Sequence, residues 1–150
     1  MTSRATIEEF LAQKVLALAG VRRRGDGFGH TIRKDLAARG WVVRLVHHQA
    51  DAVAGLSCVR TVKELAGQAG GLILVTRPNA TERLVREAAD AGIRRIWLQP
   101  GSASKDAIRF CEDRGIGVIH GECILMHAAP DGFPHGFHRW FRGLLGRMPR

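Results

Sequence analysis

Short apolar segments alternate with segments of helical periodicity along most of this 150-residue chain, and this alternation constrains the fold more than any other feature. The apolar segments are short and lack amphipathic helical spacing, so they predict buried strands. Strands that alternate with helices at roughly 25-residue spacing form βαβ units, which build a parallel sheet with helices on both faces. The sequence therefore predicts an α/β fold: a three-layer, doubly wound parallel sheet of five to six strands.

The boundaries of these elements can be estimated from the same pattern. The predicted strands are at 15–19, 41–46, 72–76, 93–98 and 117–120, with a short additional strand at 59–60. The predicted helices are at 7–12, 31–39, 62–69, 80–91 and 103–114. Residues 49–58 show little periodicity and are predicted to form a loop. We expect one domain over 1–150, with an N-terminal helical segment (1–14), a core (15–126) and a C-terminal tail (127–150).

A basic, glycine-rich turn follows the first predicted strand. Gly20 ends the strand, and the nine residues after it contain Arg22, Arg23 and Arg24 together with three further glycines. Glycine lets the backbone approach a ligand closely, and the N-terminus of the following helix offers free N–H groups to an anion. Since arginine binds phosphate in a bidentate manner, the turn predicts a site for a strongly anionic ligand.

Turn-forming or polar residues also follow other predicted strands: His47, the pair Arg77–Pro78, and the segment 99–101. Ligands of open α/β sheets bind outside the carboxyl ends of the strands. We therefore expect these residues and Gly20 to converge on one crevice.

The turn matches neither of two common nucleotide-binding motifs. The dinucleotide motif requires G-x-G-x-x-G and an acidic residue after the second strand, whereas His47–His48 follow that strand here. A P-loop requires lysine and then serine or threonine after its second glycine, but Asp26 follows Gly25. The sequence therefore disfavours NAD and ATP, while NADP stays open because basic residues suit its additional phosphate.

Five segments resemble the stand-alone CoA-binding-domain family: LALAGVRR (16–23), FGHTIRKDL (28–36), VTRP (75–78), WLQPG (97–101) and GECILM (121–126). Members of this family are similar to the N-terminal domain of the succinyl-CoA synthetase α subunit. The resemblance covers about 15–126, and it implies a Rossmann-like fold with CoA or an acyl-CoA as the ligand. The phosphorylated histidine of the synthetase lies in a different domain, so no catalytic histidine is carried over.

The resemblance implies a cofactor-binding site at the first turn and the strand ends: Gly20, Arg22, Arg23, Gly29, His47, Thr76, Arg77, Pro78, Gln99 and Gly101. By this resemblance the first turn would hold phosphates, and the residues near His47 would approach the nucleotide. The segment 76–78 would flank the adenine or ribose, and the segment 99–101 would lie along the pantetheine arm. Two positions depart from the family pattern: Arg22 replaces a frequent serine, and His47–His48 replace a frequent Asn–Pro pair.

The formal net charge of +9 also suits nucleic acid or an anionic membrane surface. Two alternatives to a non-catalytic or accessory CoA-binding module follow: an electrostatic binder of such surfaces, and an enzyme that uses NADP or acyl-CoA. The enzyme is the least favoured, because the sequence contains no acid–base pair at informative spacing. With no apolar run near the roughly 20 residues that span a bilayer, and no signal peptide, a cytoplasmic location is expected.

The tail carries an apolar stripe at helical spacing: Phe137, Trp140, Phe141, Leu144 and Leu145. This stripe predicts a short amphipathic helix. The favoured role is docking on its own domain, followed by a homodimer interface, then a membrane surface; nucleic acid is the least favoured partner. The spacing of His120, Cys123, His127, His135 and His138 fits no zinc signature, so zinc stays a minor alternative and no metal site is predicted. No catalytic residue is predicted either.

Overall fold

A seven-stranded sheet organises residues 2–128, which is the part of the chain that the computed structural model describes. The elements in chain order are α1 (Arg4–Leu11), β1 (Val15–Ala19), α2 (Phe28–Ala38), β2 (Val42–Val46), β3 (Ala52–Val53), β4 (Leu56–Val59), β5 (Gly71–Leu74), α3 (Pro78–Asp90), β6 (Arg95–Leu98), α4 (Lys105–Asp113) and β7 (Gly117–Ile119). Two 3-10 turns lie at Val62–Leu65 and Ile124–Met126. The predicted C-terminal helix, with its proposed docking and homodimer roles, lies outside the described residues.

The strand order confirms the predicted doubly wound, Rossmann-like architecture. The sheet runs β3-β4-β2-β1-β5-β6-β7, and every neighbouring pair except β3–β4 is parallel. Numbered along the chain, the six parallel strands therefore lie in the order 3-2-1-4-5-6, which is typical of dinucleotide-binding sheets. The order reverses between β1 and β5, so the ligand crevice of such a fold is expected at the carboxyl ends of these two strands.

The two faces of the sheet carry separate apolar cores, because alternate strand residues point to opposite sides. On β1, Leu16 and Leu18 pack with α1, α2 and the last 3-10 turn. Ala17 and Ala19 belong to the other core, which contains the apolar faces of α3 and α4. Helices thus cover both faces of the sheet, as the alternation of strands and helices predicts.

The segment 49–58 differs from its prediction as a loop. It forms an antiparallel β3–β4 hairpin at the edge of the sheet, with Ala52 opposite Ser57. The hairpin turns at Ala54 and Gly55, whose φ angles are +51° and +77°. A hairpin is usually recognised in a sequence by Asn–Gly or Asp–Gly at its turn. Here alanine occupies the first turn position, although it rarely adopts a positive φ, so the sequence contains no hairpin signal. The hairpin raises the number of described strands above the predicted five to six.

The helix predicted over 62–69 is wrong: this segment forms only the 3-10 turn Val62–Leu65. Thr61 and Glu64 form a capping box that starts the turn, in which the Glu64 carboxylate accepts the Thr61 N–H at 2.9 Å. Ala66 then adopts an extended conformation, and Gly67 has a φ of +76°. These two residues end the helical geometry early and return the chain to β5.

None of the helices within residues 2–128 is both long and apolar enough to cross a membrane.

Candidate functional site

A cavity of about 290 Å³ opens at the carboxyl ends of β1, β2 and β5. Its walls come from the residues that directly follow these strands, from Arg60 after β4, and from the first turns of α3. The cavity therefore lies where the strand order reverses, the position at which open α/β sheets bind ligands. Three of the four strand ends that were predicted to converge line it.

Close backbone packing shapes the turn between β1 and α2. Gly20 has a φ of +117°, and a Cβ at this position would collide with the carbonyl oxygen of Val75. A Cβ on Gly29 would lie 2.8 Å from the carbonyl oxygen of Gly20, so α2 packs directly against the turn. Gly20 allows the turn to approach the end of β5 at the edge of the cavity, and Gly29 allows the start of α2 to approach the turn.

The cavity lining is cationic. It includes the basic side chains of Arg22, His47, His48, Arg60, Arg77 and Arg83, and no carboxylate is among the lining residues. The remaining lining is largely apolar and includes Val21, Val46, Val75 and Leu84. An apolar pocket with a few converging charged groups is typical of a small-molecule site, and these charges suit an anionic ligand with an apolar or aromatic part.

The arginines differ in how far their charge is already compensated. Arg83 donates to the Glu87 carboxylate at 3.0 Å, and Arg60 donates to the Asp51 carboxylate at 2.9 Å. Arg22 lies 4.0 Å from Asp26, and both side chains are more than half exposed. Within residues 2–128, no carboxylate forms an ion pair with Arg77. Among the arginines that line the cavity, Arg22 and Arg77 are therefore the two whose charge is least neutralised by a protein partner within residues 2–128.

His47 and His48 form a stacked pair, with ring centroids 5.7 Å apart and planes inclined by 9°. The Gln49 N–H donates to Nδ1 of His47 at 3.1 Å, so neutral His47 carries its proton on Nε2. Burial, followed by the neighbouring His48, Arg23 and Arg60, lowers the pKa of His47 below its ordinary value. The positive surroundings thus disfavour a further positive charge on this ring, whereas a bound anion would favour it.

Thr76 is held in place at the end of β5 by two neighbouring side chains. Its hydroxyl shares a 2.6 Å hydrogen bond with the Thr81 hydroxyl, and its N–H donates to the buried Ser102 hydroxyl at 3.0 Å. The cavity wall formed by Thr76 is therefore fixed to the start of α3 and to the segment before α4.

The predicted site residues divide into two groups. Those that line the cavity are Gly20, Arg22, His47, Thr76 and Arg77. Those that do not line it are Arg23, Gly29, Pro78, Gln99 and Gly101. Gly29 lies beneath the turn, and Pro78 is the first residue of α3. Arg23 and Gly101 are exposed.

Gln99 makes its contacts away from the cavity. Its side chain is 1% exposed; its Oε1 accepts the Ile124 N–H at 2.7 Å, and its Nε2 donates to Cys123 Sγ at 3.4 Å. The amide thus joins the end of β6 to the segment after β7. Its predicted contact with the pantetheine arm stays a prediction.

The Gln99→Ala variant is expected to lose about 1–3 kcal/mol of unfolding free energy, because the buried Ile124 N–H would lose its acceptor. Urea unfolding followed by circular dichroism measures this loss. We expect the affinity of the folded variant for CoA to change less than about twofold, since the amide is occupied by residues 123 and 124. A tenfold loss of affinity would instead place the amide against the pantetheine arm.

Four polar residues that line the cavity were not among the predicted site residues: His48, Arg60, Asn79 and Arg83. Arg60 reaches the cavity because it directly follows β4, which pairs with β2. Asn79 and Arg83 occupy the first turns of α3, and helical spacing places Ala80 and Leu84 beside them. The position of Asn79 and Arg83 shortly after the segment 75–78 is the sequence signal that could have indicated them as site residues.

Residues 2–128 contain no candidate metal site, and the Cys111 thiol is not suited to act as a nucleophile. Among residues 2–128, no group of three or more His, Cys, Asp or Glu side chains could hold a metal ion; His135 and His138 lie outside this range. Burial, with a smaller contribution from Glu112, raises the pKa of the Cys111 thiol to about 11. Cys111 is therefore protonated near neutral pH and poorly reactive.

Comparison with known proteins identifies related sequences and structures. A family model described as "CoA binding domain" matches residues 14–129. The uncharacterized protein YneT of Bacillus subtilis is 26% identical over 128 residues, which cover 84% of this chain and 95% of YneT.

Two solved structures of proteins from Pyrococcus species are similar to this chain. A conserved hypothetical protein from Pyrococcus furiosus is 32% identical, with a TM-score of 0.72, over 77% of this chain and 99% of that chain. A hypothetical protein from Pyrococcus horikoshii is 22% identical, with a TM-score of 0.74, over 81% of this chain and 86% of that chain. Because the identity to the Pyrococcus horikoshii protein is only 22%, that similarity shows a common fold and nothing further.

Proposed function

The chain belongs to the CoA binding domain family, and we propose that it binds CoA or an acyl-CoA in the cavity at the ends of β1, β2 and β5. Family membership supports a general CoA-binding role. The proposal for this particular cavity rests on one observation above all: its ionisable lining residues are arginines and histidines, with no carboxylate among them.

The chemistry of CoA suits this lining. A pyrophosphate and a ribose phosphate carry several negative charges, and arginine forms strong, bidentate hydrogen bonds with such groups. Arg22, at the turn after β1, and Arg77, at the start of α3, are available to the pyrophosphate. Val46, Val75 and Leu84 offer apolar surface to the adenine. The volume of about 290 Å³ is near the lower limit for ligand pockets, so the pantetheine arm would extend outside it.

We propose a non-catalytic or accessory role. The cavity offers cations to hold phosphate, and its lining contains no carboxylate that could form an acid–base pair with His47 or His48. The backbone of Gln99 and Gly101 remains our candidate for the path of the pantetheine arm, because the Gln99 amide is held by residues 123 and 124. Arg23, Gly29 and Pro78 remain candidates for indirect support of the turn after β1. A cytoplasmic location and a homodimer formed through the tail also remain predictions.

Isothermal titration calorimetry of the full chain with CoA and acetyl-CoA tests this function at 0.15 M salt, where the Debye length is about 8 Å. We expect saturable one-to-one binding of both compounds, and weaker binding of NADPH and NADH. Pantetheine serves as the control that lacks phosphate, and should not bind detectably. The proposal would be wrong if millimolar CoA produced no heat, or if a single-stranded oligonucleotide bound instead with a steep salt dependence.

A further inference from the structure

A second cationic group lies at the end of the cavity nearest the β3–β4 hairpin. It is separate from the arginines of the phosphate turn, which is the turn between β1 and α2. Arg60 follows β4 and lines the cavity together with His47 and His48. We propose that these three residues form a subsite for a phosphomonoester on the ribose of the ligand, with Arg60 as the residue that confers specificity. This inference rests on the proposed function, because it concerns the same cavity.

The position of Arg60 separates it from the phosphate turn. β4 and β1 lie on opposite sides of β2, and neighbouring strands are about 4.8 Å apart. The carboxyl ends of β1 and β4 are therefore about 10 Å apart, so a phosphate bound to the backbone of the turn after β1 does not reach the end of β4. A ligand that uses both ends needs two separated anionic groups.

Contacts with the segment between β2 and β3 restrain the Arg60 side chain at its own end of the cavity. Its Nε donates to the Asp51 carboxylate at 2.9 Å, and one of its terminal nitrogens donates to the His48 carbonyl oxygen at 3.4 Å. A guanidinium has five N–H donors, so these two bonds leave three for a ligand. A restrained guanidinium with free donors suits the bidentate recognition of a phosphate.

The surroundings of His47 support the same assignment. His48 stacks against its ring, and the guanidinium groups of Arg23 and Arg60 contribute positive charge. The carboxylate of Asp51 contacts Arg60 and is largely exposed. The balance of these charges at the ring is positive, so a doubly charged phosphomonoester is favoured over a group with one charge or none.

The test compares CoA with dephospho-CoA, which lacks only the phosphate on the ribose. Calorimetry of the full-length protein is expected to give CoA about tenfold the affinity of dephospho-CoA, the lower end of the effect of a charge-assisted hydrogen bond, because Arg60 is half exposed. Arg60→Ala should lower the affinity for CoA about tenfold and leave the affinity for dephospho-CoA nearly unchanged. The preference between the two compounds should therefore disappear in this variant.

Arg109→Ala is the matched control, because it removes an exposed arginine of α4 that does not line the cavity; it should retain the preference. If Arg60→Ala does not fold, Arg60→Gln replaces it with the same expected loss of preference. Equal affinity of the unmodified protein for both compounds would overturn the subsite and leave the proposed function intact. An equal weakening of both compounds by Arg60→Ala would overturn it as well, because that result indicates a merely structural role. Binding of neither compound would instead refute the proposed function.

Discussion

The Gly20→Ala variant is expected to lose about 3 kcal/mol or more of unfolding free energy, and with it the affinity for CoA. The new Cβ would collide with the carbonyl oxygen of Val75 and lie 2.6 Å from its carbonyl carbon. Neither backbone can move away easily, because the Val75 N–H donates to the Ala19 carbonyl oxygen at 3.0 Å between β1 and β5. The φ of +117° adds strain for any L-residue with a side chain.

Thermal and urea unfolding measure this loss, which for a chain of this size corresponds to a decrease in Tm of about 10 °C. Gly67→Ala is the matched control. Its φ is +76°, but nothing lies within 4 Å of the added Cβ, so it should lose only about 1 kcal/mol. Equal losses in the two variants would show that backbone strain, rather than the contact with Val75, makes glycine necessary at position 20.

The second large effect is expected from the double variant Arg22→Ala/Arg77→Ala, which should lower the affinity for CoA about 100-fold. Each arginine is expected to contribute about tenfold through charge-assisted hydrogen bonds to phosphate. The two side chains extend from different strand ends and share no protein partner among residues 2–128, so their effects should be nearly additive. Calorimetry with CoA measures the loss, and the Tm should change little because both side chains are exposed.

The double variant Lys105→Ala/Arg109→Ala removes the same charge from exposed positions on α4. It should bind CoA nearly as well as the unmodified protein, since neither side chain lines the cavity. A comparable loss in both double variants would mean that net charge governs the binding. No loss in Arg22→Ala/Arg77→Ala would exclude both arginines from the phosphate site.

The sequence predicted the elements that depend on local pattern. The first strand, 15–19, coincides with β1, and the helix predicted over 80–91 overlaps α3 at all but its ends. Strong apolar periodicity and glycines that stop helices are local signals, so they can be read without knowing the partners of a segment. The hairpin between residues 52 and 59 carried no such signal, because its turn residue Ala54 adopts a conformation that is unusual for alanine.

The residues of the candidate site also fall into those that the sequence predicted and those that it did not. The glycine turn and the residues after β2 and β5 could be assigned because strand ends of a parallel sheet converge. Arg60 could not, because its place at the cavity depends on the pairing of β4 with β2. The side chain of Gln99 follows a strand end as predicted, yet it contacts Cys123 and Ile124.

The alternation of apolar strands and helices, together with the basic turn after Gly20, was therefore sufficient to predict a doubly wound sheet and an anionic ligand. Both follow from short-range periodicity and from residue chemistry, which the chain carries locally. Which arginines surround one cavity, and which polar side chains are used by neighbouring segments, depends on contacts between residues far apart in the chain. Those contacts exist only once the strands have paired. They place Arg60 in the lining of the cavity and Gln99 outside it.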